Sequence, residues 1–372
     1  MIYLLNCSNL KAGGGLQVAD AICSLLNNFP QHKFCVVLSS YLESTKNRIT
    51  GLQNVDTYIY DIPNTIKIII GGRDFFLDNL VADKSVDAVL TIFGPSRWCP
   101  KVPHLSGFAM AQLVIPESPF YSRMAYASKL KWKFWCKVRE WSFMKSADFF
   151  WTENPYISDR LERLFGDKKV FTVTNYYNQV FDEPELWDKT HTLTEFDGIT
   201  CLIVSSYYPH KNLEIIIEVV RIMRNIHPDL HVRFVLTIDE KQMLVPKDVR
   251  SSFVFIGKVD VSECPYLYEQ CDVMFMPTLL ECFTATYPEA MRMEKPIVTT
   301  DLEFARGLCG DAACYYSAVD PHAAAEALYK VATDKVYARQ LVDNGKRQLA
   351  KFDNYEQRIE KLVEILEQIV KS

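Results

Sequence analysis

No uninterrupted apolar run in this 372-residue chain approaches the roughly 18 residues needed to cross a bilayer. None of its 11 cysteines forms a C-x-x-C pair, and most sit inside apolar runs, as Cys35 does in KFCVVL. That usage fits reduced core residues of a cytosolic protein and speaks against a disulfide framework or a zinc site. There is no D-x-D triplet and no clustered His/Cys ligand set, so no metal is expected in the chemistry. An excess of basic charge is also missing. Lys+Arg 41 against Asp+Glu 46 gives 41 − 46 = −5, which argues against a nucleic-acid binder dominated by phosphate contacts. The opening MIYLLNCSNLKAGGG carries no charged leader and no small-residue cleavage site, so a signal peptide is not expected. Short-period repeats and low-complexity segments are absent as well.

What is present is ample core material, 49% hydrophobic and 13% aromatic, in a chain long enough for two domains. Short apolar runs alternate with amphipathic stretches, the pattern of parallel strands between helices. Met1–Cys7 reads as a strand, followed by a glycine turn and a helix from Leu16 to about Asn28. Further strands are expected at Lys33–Ser39, Thr57–Asp61, Asp87–Phe93 and Val170–Asn175. A polar, strand-poor stretch, 177–198, reads as a linker between a domain at 1–176 and another at 199–350. In the second, strands are expected at Thr200–Ser205, His231–Thr237, Phe253–Gly257, Asp272–Met276 and Pro296–Thr300. Helices are expected at Asn212–Ile226, Ser262–Gln270, from near Pro288, and at Pro321–Thr333. The closing helix, within 351–372, is expected to pack back on the first domain. Such sheets bind ligands at the carboxyl ends of their strands.

Three segments occupy those positions. Gly13-Gly14-Gly15 joins strand one to helix one, where glycines admit a ligand close to the backbone and the helix start offers N–H groups to an anion; a plain tight turn has the same composition. A dinucleotide fingerprint fits poorly, because the third glycine it needs is Val18. Ser205-Ser206-Tyr207-Tyr208-Pro209-His210-Lys211-Asn212 closes the first strand of the second domain, where a lysine is well placed to neutralise a diphosphate or else is solvated beside an Asn212 helix cap. Glu281 and Glu289 lie eight positions apart across a loop-to-helix junction. One carboxylate there can face a sugar and the other can take the two hydroxyls of a ribose. The plainer reading of Glu289 is a capping box with Thr286, with Pro288 in the first helical turn.

The run Glu281-Cys282-Phe283-Thr284-Ala285-Thr286-Tyr287-Pro288-Glu289-Ala290 resembles the E-x7-E element, E-G-F-G-L-P-x-x-E-A, of retaining GT-B glycosyltransferases of the group 1 (family four) class. Gly257-Lys258-Val259, Leu267-Tyr268, Cys271-Asp272-Val273 and Pro277 are similar to that family's G-x-V, L-Y and A-D-V series. Lys295-Pro296-Ile297-Val298 and Gly310-Asp311-Ala312-Ala313 up to Asp320-Pro321 resemble its downstream stretches. The resemblance covers about 200–345, with a weaker echo in the glycine loop and in Ser146-Ala147-Asp148…Glu153. It implies an α/β fold of the GT-B type, two Rossmann-like α/β/α domains facing a central cleft. It further implies a nucleotide-diphosphate sugar donor, a UDP- or GDP-sugar, used with no metal and no other cofactor. Carried over, the donor-binding set is Gly14, Gly15, Ser205, Ser206, Lys211, Gly257, Glu281, Phe283, Thr284, Ala285 and Glu289. Within it Glu289 would hold the ribose, Glu281 would meet the donor sugar near its reacting carbon, and Lys211 would neutralise the leaving diphosphate. His104, after an expected strand and turn, stands as the catalytic histidine.

The chain departs from that family at three places. The arginine five residues before the lysine is Ser206, leaving His210 or a residue of the first domain to substitute. The two glycines of E-G-F-G are Cys282 and Thr284, which reshapes the sugar pocket.

Ser122–Lys145 holds seven basic residues against one acid, Glu140, with Trp132, Trp135 and Trp141 interleaved. On a helix this composition suits an anionic membrane surface, through Lys131, Trp132 and Trp135, or an aromatic side packed on the first domain. Nucleic acid is not an expected partner. The expected protein is thus a retaining, metal-independent hexosyltransferase, cytoplasmic and peripheral to the membrane. Its acceptor would be a saccharide or lipid-linked saccharide of surface polysaccharide or glycolipid assembly. A nucleotide-sugar epimerase of the same fold and a non-catalytic sugar-nucleotide binder are the alternatives.

Overall fold

Runs of four to six apolar, often β-branched residues bounded by polar turns form strands that are buried on both faces, as parallel sheets require. The computed structural model describes residues 1–63 and 72–372. It divides into two compact units. The first comprises Met1–Ile115, Ala125–Asn175 and Asp353–Ser372; the second comprises Pro116–Met124 and Tyr176–Phe352.

In the first unit, β1 (Ile2–Cys7), β2 (Lys33–Leu38), β3 (Val55–Ile59), β4 (Ala88–Thr91), β5 (His104–Gly107), β6 (Phe149–Thr152) and β7 (Val170–Thr172) form one sheet among the described residues. Its order is β3-β2-β1-β4-β5-β6-β7, with every pairing parallel. The second unit repeats the plan with β8 (Ile199–Ile203), β9 (Val232–Leu236), β10 (Phe253–Phe255), β11 (Val273–Met276), β12 (Ile297–Thr300) and β13 (Ala313–Tyr316). Its order is β10-β9-β8-β11-β12-β13, again all parallel. Each sheet therefore reverses its winding at its first strand: β1 lies between β2 and β4, and β8 between β9 and β11. Such reversals open a crevice at the carboxyl ends, because the connections leave the two sides in opposite directions.

The C-terminal helix, Tyr355–Lys371, belongs to the first unit. Ile359, Leu362, Val363, Leu366 and Ile369 recur at spacings of three and four, and all are buried in the core that also holds Tyr3, Leu5 and Leu90. Burial of each such side chain is worth about 1.5–3 kcal/mol before entropy is counted. Just ahead of the helix, the Asp353 carboxylate accepts from the Thr174 amide and hydroxyl, both at 2.9 Å. Arg358 donates to the Asn175 side chain. The chain thus leaves the first unit at Asn175 and returns to it beside the same residue.

Candidate functional site

In each unit, the crevice at the reversal is built from loops that the sequence singles out. After β1, Gly13 caps the helix Gly14–Cys23 with φ 74°, a left-handed conformation that favours glycine. Gly13 and Gly14 are exposed, and a Cβ on Gly14 would meet nothing within 4 Å, so the backbone there is open to an approaching group.

The second unit gathers more chemistry. The loop after β8 runs Val204 to Asn212 and ends in a single 3₁₀ turn, Pro209–Lys211. Asn212 then takes φ 55°, which asparagine tolerates better than most residues, and this delays the helix expected from Asn212 until Ile215–Ile226. Asn212 is fully buried, and its Nδ2 donates to the Pro277 carbonyl at the end of β11, 3.3 Å away. Since β8 and β11 pair directly, their carboxyl-end loops lie side by side. One further bond joins the loops: Leu279 N donates to the His210 carbonyl at 2.8 Å.

That scaffold brings Lys211 Nζ to 2.5 Å from Glu281 Oε1, with side chains 14% and 12% exposed. Thr278 Oγ1 donates to the same carboxylate oxygen at 2.8 Å. A mostly buried ion pair needs this kind of extra hydrogen bond to offset its desolvation. Ser205 and Ser206 share the loop with Lys211; Ser205 N donates to Thr237 Oγ1 at 2.9 Å, and Ser206 is exposed. Gly257, just past β10, has φ 80° and open space where a Cβ would stand.

Beyond Glu281 the chain passes through half-buried Phe283, whose ring meets Phe352 edge-on at 6.4 Å, and buried Thr284, whose hydroxyl pairs with that of Thr286 at 2.9 Å. Ala285 then starts the helix Thr286–Arg292 without any side-chain cap. The capping box between Thr286 and Glu289 is therefore not formed. Glu289 instead turns inward, buried, with its Oε2 accepting from Tyr268 Oη at 3.2 Å. Burial pushes its carboxyl up to about 7, with the Tyr268 hydrogen bond opposing. An inward-facing carboxyl with so few donors is poised to accept further ones.

His104 is not in a loop after a strand, as its sequence context suggests. It opens β5, is buried, and has both ring nitrogens engaged: Nε2 with Thr91 Oγ1 at 2.7 Å and Nδ1 with the Ser146 carbonyl. Burial lowers its pKa to about 4, so the ring is neutral, with the Ser146 carbonyl opposing the shift. It serves as a core histidine bridging neighbouring elements, and no catalytic role is assigned to it.

On the helix Tyr126–Ser146, Lys131 and Trp135 are exposed and Trp132 is half-buried. Pro116–Met124, which the sequence gives no reason to separate from its neighbours, packs within the second unit as a strap on the two site loops. Ser118 Oγ donates to the Leu279 carbonyl at 2.7 Å, the Phe120 ring meets His210 edge-on at 6.1 Å, and Arg123 donates to Asn212 Oδ1.

Residues 198–367 match the family model described as "Glycosyl transferases group 1". No curated protein matches the chain in sequence. Among solved structures, a glycosyltransferase from Rickettsia africae aligns with TM-score 0.70 at 12% identity, covering 100% of this chain and 98% of that one. HepE from Anabaena in complex with UDP and glucose aligns with TM-score 0.66 at 12% identity over 99% of both chains. WaaG, a glycosyltransferase involved in lipopolysaccharide biosynthesis, aligns with TM-score 0.63 at 13% identity over 98% of this chain and 99% of that one. At such identities these likenesses concern the fold. Residues 198–367 thus match the group 1 glycosyl transferase model, in a chain whose two parallel-sheet units have the GT-B fold.

Proposed function

We propose that the protein transfers a sugar from a nucleotide-diphosphate sugar to a saccharide or lipid-linked saccharide acceptor, with retention at the anomeric carbon. The observation that carries this reading is the Lys211–Glu281 pair at the winding reversal of the second sheet, inside the segment that matches the family model. In this scheme the bond from the sugar's anomeric carbon to the β-phosphate oxygen breaks, and its electron pair leaves on the diphosphate. In this scheme Lys211 takes up that charge, and its anchoring beside Glu281 and Thr278 keeps the reorganisation small. Glu281 faces the donor sugar, the backbone of Phe283–Ala285 grips sugar and phosphate, and Glu289 accepts the ribose hydroxyls. Ser205, Ser206 and Gly257 border the nucleotide. Side-chain cations take the place of a metal ion. The Anabaena neighbour holds UDP and glucose, which supports a UDP-sugar, with a GDP-sugar as the other donor to test.

The test is turnover of UDP- and GDP-sugars with saccharide acceptors, read by proton NMR for anomeric configuration. Acceptor-dependent transfer with the donor's configuration kept is expected. Conversion of the donor in the absence of acceptor, or transfer with inversion, contradicts the reading.

A cytoplasmic location at the membrane face belongs to the same proposal. No helix of the described residues is long and apolar enough to cross a membrane. Yet Tyr126, Leu130, Phe134, Trp141 and Met144 recur at helical spacing on the helix Tyr126–Ser146 and are all exposed, Tyr126 by 78% and Phe134 by 64%. Lys131, Lys133, Lys137 and Lys145 stand exposed among them. Exposed aromatics set among lysines match a lipid headgroup layer of negative charge. Flotation with phosphatidylglycerol vesicles is expected to carry the protein upward. Serine at Leu130, Phe134 and Trp135 together should cut the floated fraction several-fold, and no change on that substitution contradicts the membrane reading.

A further inference from the structure

The Lys211–Glu281 pair carries no net charge, because the one cation on the loop after β8 is matched by a carboxylate at 2.5 Å. A departing nucleoside diphosphate gains negative charge as the sugar–oxygen bond breaks, and a neutral pair compensates it poorly. Ser206 on the same loop brings no charge. His210 lies between the ring of Tyr208, stacked at 5.7 Å, and the edge of Phe120, and burial lowers its pKa, which favours the uncharged ring. A second cation for these loops has to come from elsewhere.

The strap 116–124 brings one. Buried Ser118 holds the strap to the Leu279 carbonyl and, as the cap of the turn Pro119–Arg123, accepts from Phe120 N at 3.2 Å. The turn ends on Arg123, whose Nη1 donates to Oδ1 of Asn212, the residue after Lys211. Asn212 is itself anchored to Pro277, so its carbonyl-type oxygen is a fixed point. Among the described residues no carboxylate pairs with Arg123, and its side chain is exposed. A guanidinium has five donors in a planar fork suited to phosphate oxygens, and one bond to Asn212 leaves most of them for an anion.

We propose that Arg123, held on the 116–124 strap by Asn212, is the second cation that binds the leaving diphosphate beside Lys211. This rests on the glycosyl-transfer reading above. It adds that the strap supplies a charged group to the site, so that leaving-group affinity depends on a residue far from Lys211 in sequence. The electron pair still leaves on the β-phosphate oxygen, and Arg123 only receives that charge.

The experiment is calorimetric binding of UDP, GDP, UMP and GMP to the full-length protein and to Arg123→Ala and Arg123→Lys. Arg123→Ala is expected to weaken the preferred diphosphate about tenfold, a loss of about 1.4 kcal/mol, while the matching monophosphate changes by less than about twofold. Arg123→Lys keeps the charge and should recover part of the loss. An equal loss for diphosphate and monophosphate points to a strap that merely holds the loops together, and overturns the proposal. So does an unchanged diphosphate affinity. If the wild-type protein binds none of the four nucleotides, the glycosyl-transfer reading itself fails, which is distinct from failure of Arg123 alone.

Discussion

Lys211→Met lowers kcat by about 10²–10³-fold, the range seen when one preorganised donor to a developing anion is removed. Methionine keeps much of the length and apolar stem while removing the charge, so the effect is expected in kcat more than in KM. The charge on the diphosphate is largest in the transition state, and an interaction stronger there than in the ground state acts on kcat. The substitution also leaves Glu281 without its cation at 12% exposure, with only Thr278 as donor. A companion Lys211→Met/Glu281→Gln variant removes that unpaired charge, and comparing it with Glu281→Gln alone isolates Lys211 from the part that Glu281 itself plays at the donor sugar. Steady-state kinetics with the donor turned over by the wild type, supported by melting curves of both variants, measures the effect. A fall below about fivefold, roughly 1 kcal/mol, contradicts the role of Lys211.

Nucleotide affinity is expected to strengthen as pH rises from 6 to 8, and Glu289→Gln to abolish most of that dependence. Burial pushes the Glu289 carboxyl from 4.5 up to about 7. Accepting two ribose hydroxyls requires the ionised form, so below its folded pKa the site must lose a proton to bind, at up to about tenfold in affinity per pH unit. Stability of the ligand-free protein runs the other way. A carboxyl whose folded pKa is raised contributes stability that is complete below the unfolded value and is lost as pH rises through the folded one. The Glu289 contribution is therefore present below pH 4.5 and gone above about 7. Glu289→Ala should cost about 10–100-fold in affinity, as expected for one or two hydrogen bonds to a charged acceptor. Calorimetry across pH 6–8 together with melting curves checks both signs. A wild-type affinity independent of pH contradicts the assignment of Glu289.

Much of this architecture was legible because buried parallel strands are apolar along their whole length. β1, β2, β8, β9 and β11 all stand where their apolar runs predict them, to within a residue or two. β5, β6 and β13 escape such a reading, although β4, β11 and β12 are equally short and do not. His104 shows why: HLSG carries histidine, serine and glycine in a fully buried strand, held by side-chain partners on neighbouring elements rather than by its own hydrophobicity. The same gap misplaced His104 in a loop. Lys211, Glu281 and Glu289 were visible as charges at strand ends and at a loop-to-helix junction, whereas the strap was not. Nothing local in PESPFYSRM sets it apart, since what draws it to the second unit is the bond from Ser118 to Leu279 and that from Arg123 to Asn212. Contacts across 161 and 89 positions leave no periodic trace in a sequence.

In the proposed scheme one nucleotide-diphosphate sugar is held by Lys211 and Glu289 together. A crystal structure of the protein with a saturating UDP- or GDP-sugar, whichever it turns over, tests that directly. The β-phosphate is expected within hydrogen-bond reach of Lys211 Nζ, with both ribose hydroxyls on the Glu289 carboxylate. A nucleotide bound away from these two side chains would contradict the scheme.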